Sequence, residues 1–331
     1  MLSFVLVCAI AVSGCAANPT VSPSGPAGPS VTPGPENGCA PVGIVPPLSY
    51  PGWPGSNTAP PAGNIIPIPV SSEIAVGQNR FVFTLIDGQN DLLAAANVTV
   101  GLKFFNLAAD PATTALTADS AFLTTSTGRG FYRTSVDFPC SGDWGIEFAV
   151  ATAGAAAQTV RMIIPVAATW STPAVGASVP SVVTPTATTA AGIAAISTDT
   201  DPDPDFYNVS EDEALAAHHP FVLVFATPAF CKTAVCGPTL DLVKSVAPPF
   251  KDKLTFIHVE PYILAEQDGT LQPVLDATGN FQAVPSVIAF GMASEPYTFV
   301  VGADGKLITK FEGVTGQDEL IAALTQAAGG G

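Results

Sequence analysis

Residues 220–246 read PFVLVF, ATPAFCKTAVCGP, TLDLVKSV, and this stretch decides the fold of the C-terminal half. The run Pro220–Phe225 is apolar without alternation, which predicts a central strand covered on both faces. A loop holding Cys231 and Cys236 follows, and Thr239–Val246 is then helix-forming. Residues five apart on a helix differ by about 500°, so their side chains point some 140° apart. The two cysteines can therefore pair only if Cys231 lies in the loop ahead of the helix, or if the first turn is irregular. Pro238 favours this, because proline sits most comfortably in a first helical turn. A cysteine in such a loop, at a helix N-terminus and beside Lys232, has a stabilised thiolate, the nucleophilic and metal-binding form.

Upstream, Ser210 and Glu213 form a capping box that predicts a short helix to about His218. Downstream, the sequence predicts a strand at Leu254–Val259 and a helix near Leu271–Ala277. Strands at Tyr297–Val301 and Leu307–Glu312 flank the turn Gly302–Lys306, and Asp318–Ala327 is a terminal helix. This order over residues 206–328, with paired cysteines where the first strand meets a helix, resembles the thioredoxin superfamily. The specific matches are Phe225-Ala226 before the loop, Cys231 at the attacking position, Pro238, and the run Ser294–Val301, whose Pro296 falls where that superfamily has a cis-proline beside its active site. Asp304–Leu307 and Phe311–Gly313 resemble its membrane-anchored TlpA-like branch.

The resemblance implies thiol–disulfide exchange catalysed by Cys231, Cys236 and Pro296, with Phe230, Lys232 and Pro238 as the supporting loop. It implies no cofactor and no metal, and partners among the protein thiols and disulfides of the cell envelope. Three departures bear on function. The usual C-x-x-C is stretched to C-x₄-C, Phe230 replaces a tryptophan, and Val224 falls where the superfamily carries a buried acid, the proton acceptor for the second thiol. Three alternatives stay open: a binding module whose disulfide is structural, a peroxiredoxin-like peroxidase, and an SCO-like copper chaperone using thiolates that select Cu(I). Against the peroxidase, Pro228 replaces an expected threonine; against the chaperone, Ser294 or Glu295 stands where a histidine ligand belongs.

From about Glu73 to Val166 the pattern changes to short alternating runs: Arg80–Ile86, Asn97–Phe105, Gly130–Phe138, Asp143–Thr152 and Gln158–Val166. Such spacing predicts an immunoglobulin-like antiparallel β-sandwich over residues 71–168. Gly142–Ile146 (GDWGI) resembles the small β-domains that accompany envelope redox and copper proteins. No catalytic constellation is visible there. Cys39 and Cys140 form a possible structural disulfide suited to an oxidising compartment, with a free buried thiol as the alternative. The expected fold class is multidomain, an immunoglobulin-like antiparallel β-sandwich followed by an α/β domain that the resemblance makes thioredoxin-like.

Residues 2–12 form an apolar run too short to span a bilayer but suited to a signal peptide over residues 1–14. Val12-Ser13-Gly14-Cys15 resembles the bacterial lipobox, which implies lipidation of Cys15 and an extracytoplasmic protein anchored to the cell membrane. The alternative is an ordinary secretory peptide with a chance cysteine, and no charged residue precedes Glu36. Residues 15–70 hold 15 of the 32 prolines and almost no charge, which predicts an extended tether. Residues 169–205 read as a second linker ending in the acidic run Asp199–Asp205, extended by prolines and lacking the glycine and glutamate of a calcium loop.

Charged residues make up 11% of the chain and the net charge is −16, so no basic surplus exists to neutralise nucleic acid. His218 and His219 suit a helix C-terminus. His258 alternates with Ile257 and Val259 and so faces one side of a sheet.

Overall fold

The computed structural model describes residues 39, 49–55, 64–125, 128–152, 154, 156–231 and 235–329. The signal peptide, Cys15, most of the expected tether and Lys232 lie outside the described residues.

The N-terminal unit is an antiparallel β-sandwich. Its strands are β1 (Ile65–Pro69), β2 (Gly77–Asp87), β3 (Val98–Asn106), β4 (Leu116–Asp119), β5 (Ala121–Thr124), β6 (Gly130–Phe138), β7 (Gly142–Thr152) and β8 (Gln158–Val166). One sheet has the order β1-β2-β6-β5 and the other β4-β3-β7-β8. Alternate residues point inward, as a period of two requires. Phe81, Phe83, Tyr132 and Phe138 of one sheet thus meet Leu102, Phe104, Trp144 and Phe148 of the other. Phe83 stacks on Tyr132 with centroids 5.4 Å apart and meets the Phe148 edge at 5.1 Å. Cys39 and Cys140 are joined in a disulfide.

Part of the expected tether belongs to this unit. β1 pairs along the edge of β2, where Pro67 and Pro69 are tolerated because an edge strand leaves one row of backbone groups unpaired. Tyr50 and Trp53 are buried on the outer face of the second sheet with Phe105 and Leu107. Trp53 Nε1 donates to Pro111 O at 2.9 Å, and the Arg161 guanidinium lies over the ring at 4.9 Å. Two aromatic side chains therefore bury a segment whose composition suggested none could. The strand Gly142–Thr152 shows the accommodation: a Cβ on Gly145 would stand 2.3–2.6 Å from three atoms of the Trp53 ring.

The C-terminal region is mixed α/β. It contains α1 (Ala190–Ala194), α2 (Glu211–Ala216), β9 (Phe221–Phe225), α3 (Cys236–Val246), β10 (Thr255–Val259), β11 (Leu264–Gln267), β12 (Thr270–Pro273), α4 (Pro285–Ala289), β13 (Tyr297–Val301), β14 (Leu307–Glu312) and α5 (Gln317–Gly329). The sheet order is β10-β9-β13-β14, with β9 and β10 parallel and the other pairs antiparallel. Helices α3 and α5 cover one face, through Leu240, Val243, Leu320 and Leu324. Val287 and Phe290 of and after α4, with Ala214 of α2 and Val179, cover the other. The helix expected near Leu271–Ala277 is instead the hairpin strand β12 and a loop. The helix between β10 and β13 is α4, begun by Pro285, whose fixed φ suits a first position. Among the described residues no helix is long and apolar enough to cross a membrane.

The stretch expected as a second linker is packed against the C-terminal region. Val179 N donates to Gly305 O and Leu307 N to Ala177 O, so the chain runs along β14's leading end. Thr184 N donates to Ser210 Oγ at 2.8 Å, and Ile193 is buried beside Phe206 and Cys236. The acidic run is ion-paired: Asp199 to Lys244 at 2.7 Å and Asp203 to Lys251 at 2.7 Å. These partners lie 45 and 48 residues away, beyond any local pattern.

The two units meet through Arg80, which holds both carboxylate oxygens of Glu319 at 2.7 Å and Val314 O at 2.8 Å. Arg133 pairs with Asp318, and Ser72 N donates to Glu312 at 3.0 Å.

Gly145→Ala is expected to destabilise the sandwich by about 1–3 kcal/mol, the usual cost of overpacking. The penalty should vanish in a Trp53→Ala background, where the ring is gone, as read from urea unfolding of the two single variants and the double variant. A penalty unchanged by Trp53→Ala would refute the contact as its cause.

Candidate functional site

Strand β9 ends at Phe225, and the chain leaves the sheet as a loop before entering α3 at Cys236. Cys231 lies in that loop and Cys236 is the first helical residue, so the angular conflict between positions five apart never arises. The two form a disulfide with Cα atoms 5.9 Å apart. Their environments differ: Cys236 is 0% exposed, and Cys231 is half-buried. Val235 at the N-cap offers no side-chain cap, and the Cys236 N–H donates to Cys231 Sγ at 3.2 Å. The positive end of α3 is thus aimed at the outer sulfur, which favours its anionic form once the bond is reduced. Pro238 occupies the first turn of α3.

Pro296 is brought to the same end of the sheet. The Glu295–Pro296 peptide is cis, and the next residue, Tyr297, lies opposite Phe225 in the β13–β9 register. Pro296 O accepts from Gly313 N at 2.9 Å, and Gly313 O accepts from the Thr239 hydroxyl of α3 at 3.2 Å. Two hydrogen bonds therefore link the proline to the cysteine helix. Phe230 is half-buried and meets the Phe281 ring at 6.3 Å, which in turn packs on Tyr262 at 5.0 Å.

A polar network under the loop joins His258, which the sequence placed only on one side of a sheet, to residues the sequence did not single out. His258, 2% exposed, holds Ala226 O at 2.9 Å with Nε2 and the Tyr207 hydroxyl at 2.8 Å with Nδ1. A carbonyl only accepts, so Nε2 carries the proton, Tyr207 donates to Nδ1, and Ser197, 3.0 Å from the Tyr207 oxygen, donates to Tyr207. Burial lowers the His258 pKa, keeping the ring neutral. Beside it, Glu260 Oε1 accepts from Thr198 N at 2.7 Å and Thr198 Oγ at 2.6 Å, and that hydroxyl accepts from Ala229 N at 3.2 Å. The loop leading to Cys231 is therefore held at Ala226 and at Ala229. Glu260 Oε2 is buried and has no partner among the described residues. Ser197 and Thr198 belong to the stretch read as a linker, so only its packing reveals them.

Val224, where the resemblance calls for an acid, faces His258 on one side and Thr298 on the other in the sheet register. Ser294 donates to Glu312 at 2.7 Å, and Glu295 accepts from Tyr262 at 2.8 Å. His218 takes a left-handed backbone, φ 52°, just after α2. Among the described residues no group of three or more His, Cys, Asp or Glu side chains is placed to hold a metal ion.

No family model matches the chain, and no curated protein matches its sequence. Among solved structures, a DUF4426 family protein from Pseudomonas aeruginosa PAO1 is 14% identical over 28% of this chain and 77% of its own, with a TM-score of 0.20. The Lin-41 filamin domain is 17% identical over 30% of this chain and 91% of its own, with a TM-score of 0.18. MtrC from Shewanella baltica OS185 is 9% identical over 46% of this chain and 29% of its own, with a TM-score of 0.23. These likenesses are distant.

The neutral His258 sets a pH dependence. Its folded-state pKa lies below the ordinary 6.5, so its contribution to stability is intact above that value. It is lost as pH falls from there towards the folded value, because the unfolded chain then binds the proton first. Burial pushes Glu211 up to about 7, and stability from that group is lost in the opposite direction, as pH rises. The His258 contribution is therefore read as a difference: the deficit of His258→Gln in urea unfolding should shrink between pH 7.5 and 5.5. A deficit constant over that range would show that the ring's neutrality is not what the site supplies.

Proposed function

We propose that the protein is an extracytoplasmic thiol–disulfide oxidoreductase: a thioredoxin-like, TlpA-like domain following an immunoglobulin-like β-sandwich, anchored to the cell membrane by a lipid at Cys15. The observation that carries the reading is the asymmetry of the cysteine pair, with Cys231 half-buried at the N-terminus of α3 and Cys236 fully buried. The four-stranded order β10-β9-β13-β14 with helices on both faces, and the cis Glu295–Pro296 bond beside the loop, support the same reading.

In the reducing direction the Cys231 thiolate attacks one sulfur of a substrate disulfide. The substrate S–S bond breaks, the departing thiolate takes a proton, and a mixed disulfide remains. Cys236 then loses its proton and attacks Cys231 Sγ, releasing the second substrate sulfur as a thiolate that is protonated in turn. The substrate gains two electrons and the cysteine pair becomes the disulfide. The reverse sequence oxidises a substrate dithiol. A bonded sulfur that already accepts a helix N–H is a favoured leaving group in that direction.

The reduced protein is expected to reduce insulin disulfides, with activity abolished in Cys231→Ser. Cys236→Ser should still attack but stall as a mixed disulfide visible by mass spectrometry. The reduction potential should lie above about −300 mV; a lower value with no insulin reduction identifies a structural disulfide instead. Hydroperoxide consumption that disappears in Cys231→Ser identifies a peroxidase, and stoichiometric Cu(I) binding by the reduced protein a copper chaperone. For the anchor, the mature N-terminus is expected at Cys15 carrying a diacylglycerol mass, and an unmodified start elsewhere rejects it.

A further inference from the structure

A groove of about 480 Å³ opens beside the cysteine pair, and its walls come from both units. One wall is α3, through Val235, Pro238 and Leu242; the opposite wall includes Thr124 at the end of β5; Thr315 lies between them. Val235, which lines the groove, is the residue immediately before Cys236, so one end of the groove lies a single residue from the disulfide. Its lining along α3 spans residues 235–245, about 15 Å at 1.5 Å per residue, enough for four or five residues of extended chain.

The walls are fixed relative to one another. Leu123 and Val82 of the sandwich pack with Val314, and Val235 joins that cluster. Leu123 approaches Gly316 so closely that a Cβ there would lie 3.0 Å from it. The Arg80–Glu319 pair, 16% and 9% exposed, locks the same edge. The groove therefore exists only because the sandwich is docked where it is.

We propose that this groove receives an extended, uncharged or basic segment of a partner protein, carrying the cysteine that exchanges with Cys231; the proposal rests on the exchange reading above. Three observations select that occupant. β5 is an edge strand, paired among the described residues with β6 alone, so its second row of backbone groups suits strand addition by an extended chain. The groove ends at Val235, next to Cys236, whose N–H donates to the sulfur of the half-buried Cys231. Asp241 is the one charged side chain among the described lining residues; it lies 3.1 Å from Lys244, which is also held by Asp199, and its side chain stays 70% exposed, so in a protein of net charge −16 acidic segments are disfavoured and basic ones favoured. The sandwich is then part of the substrate site, and selects partners that the cysteine loop alone would not distinguish.

The test compares a protein disulfide with a small one. Thr124→Trp fills the sandwich wall at an exposed position and is expected to lower kcat/KM for insulin reduction at least tenfold. Reaction of the same variant with 5,5′-dithiobis(2-nitrobenzoate), which needs no groove, should stay within twofold of wild type. Asp241→Lys should reverse the preference between a lysine-flanked and a glutamate-flanked cysteine peptide. Unchanged insulin reduction by Thr124→Trp overturns the proposal, as does an equal loss with both disulfides, which would place the effect on the chemistry. A wild-type protein inert to both disulfides fails the exchange reading and takes the groove with it. Wild-type exchange with insulin that both variants retain fails the groove alone.

Discussion

Strand β9 is buried along its whole length, with Phe221, Val222, Leu223, Val224 and Phe225 each at 0% exposure. A strand in that state needs two covering layers, since exposing any one of these side chains would forfeit about 1.5–3 kcal/mol. Helices α3 and α5 supply one layer. The other requires Val179 and Val182 of the stretch before α1 as well as α4. That requirement turns residues 169–205 from a spacer into a structural strap. It also fixes the site, because the cysteine loop begins where β9 ends and the chain must cross to α3.

The same strap supplies the loop's polar anchors. Ser197 and Thr198 reach Tyr207 and Glu260, and through His258 the network ends on Ala226 O, the first residue beyond β9. Each side-chain polar atom that links Ser197 through Tyr207 and His258 to Ala226 O is paired, which matters because a buried unpaired group costs about 1–3 kcal/mol. Neighbouring Glu260 differs, with one oxygen unpartnered among the described residues. The loop that presents Cys231 is consequently held, at Ala226 and Ala229, by residues from three separate stretches of sequence.

What was legible in the sequence is what repeats locally. The alternation of Gly130–Phe138 and Gln158–Val166 matches β6 and β8 end for end, and the unbroken run before Phe225 marks β9. The requirement that Cys231 stand outside the helix comes from angular spacing, and Cys236 does open α3. The four-residue strands β4 and β5 are too short to show a period. Leu271–Ala277 read as a helix, yet Gly269 in a left-handed turn, φ 79°, closes a hairpin there. The strap was illegible for a different reason: proline, alanine and threonine show no pattern by themselves, and their partners, such as Gly305, Ser210 and Lys244, lie far along the chain. The site residues visible in sequence were the cysteines and prolines; the supporting Tyr207, Glu260 and Thr198 required the fold.

The scarcity of charge acquires a structural meaning in this light. With only 11 Lys and Arg residues, the chain does not scatter cations over its surface but uses most of them to cross-link distant segments. Arg161 fastens the Trp53 segment to β7 through Glu147, with side chains 29% and 11% exposed. Lys244 and Lys251 fasten the acidic run, and Arg80 and Arg133 fasten the sandwich to α5. Lys310 lies over the Trp170 ring at 3.5 Å and donates to Thr172, securing the strap's start, and its burial pulls the ammonium down to about 8. Partly buried pairs of this kind resist salt and are costly to break from one side, unlike an exposed pair such as Lys306–Asp304 at 3.6 Å. Because so few cations are present, their placement carries much of the tertiary information. Two of them, Arg80 and Arg133, set the sandwich edge against α5.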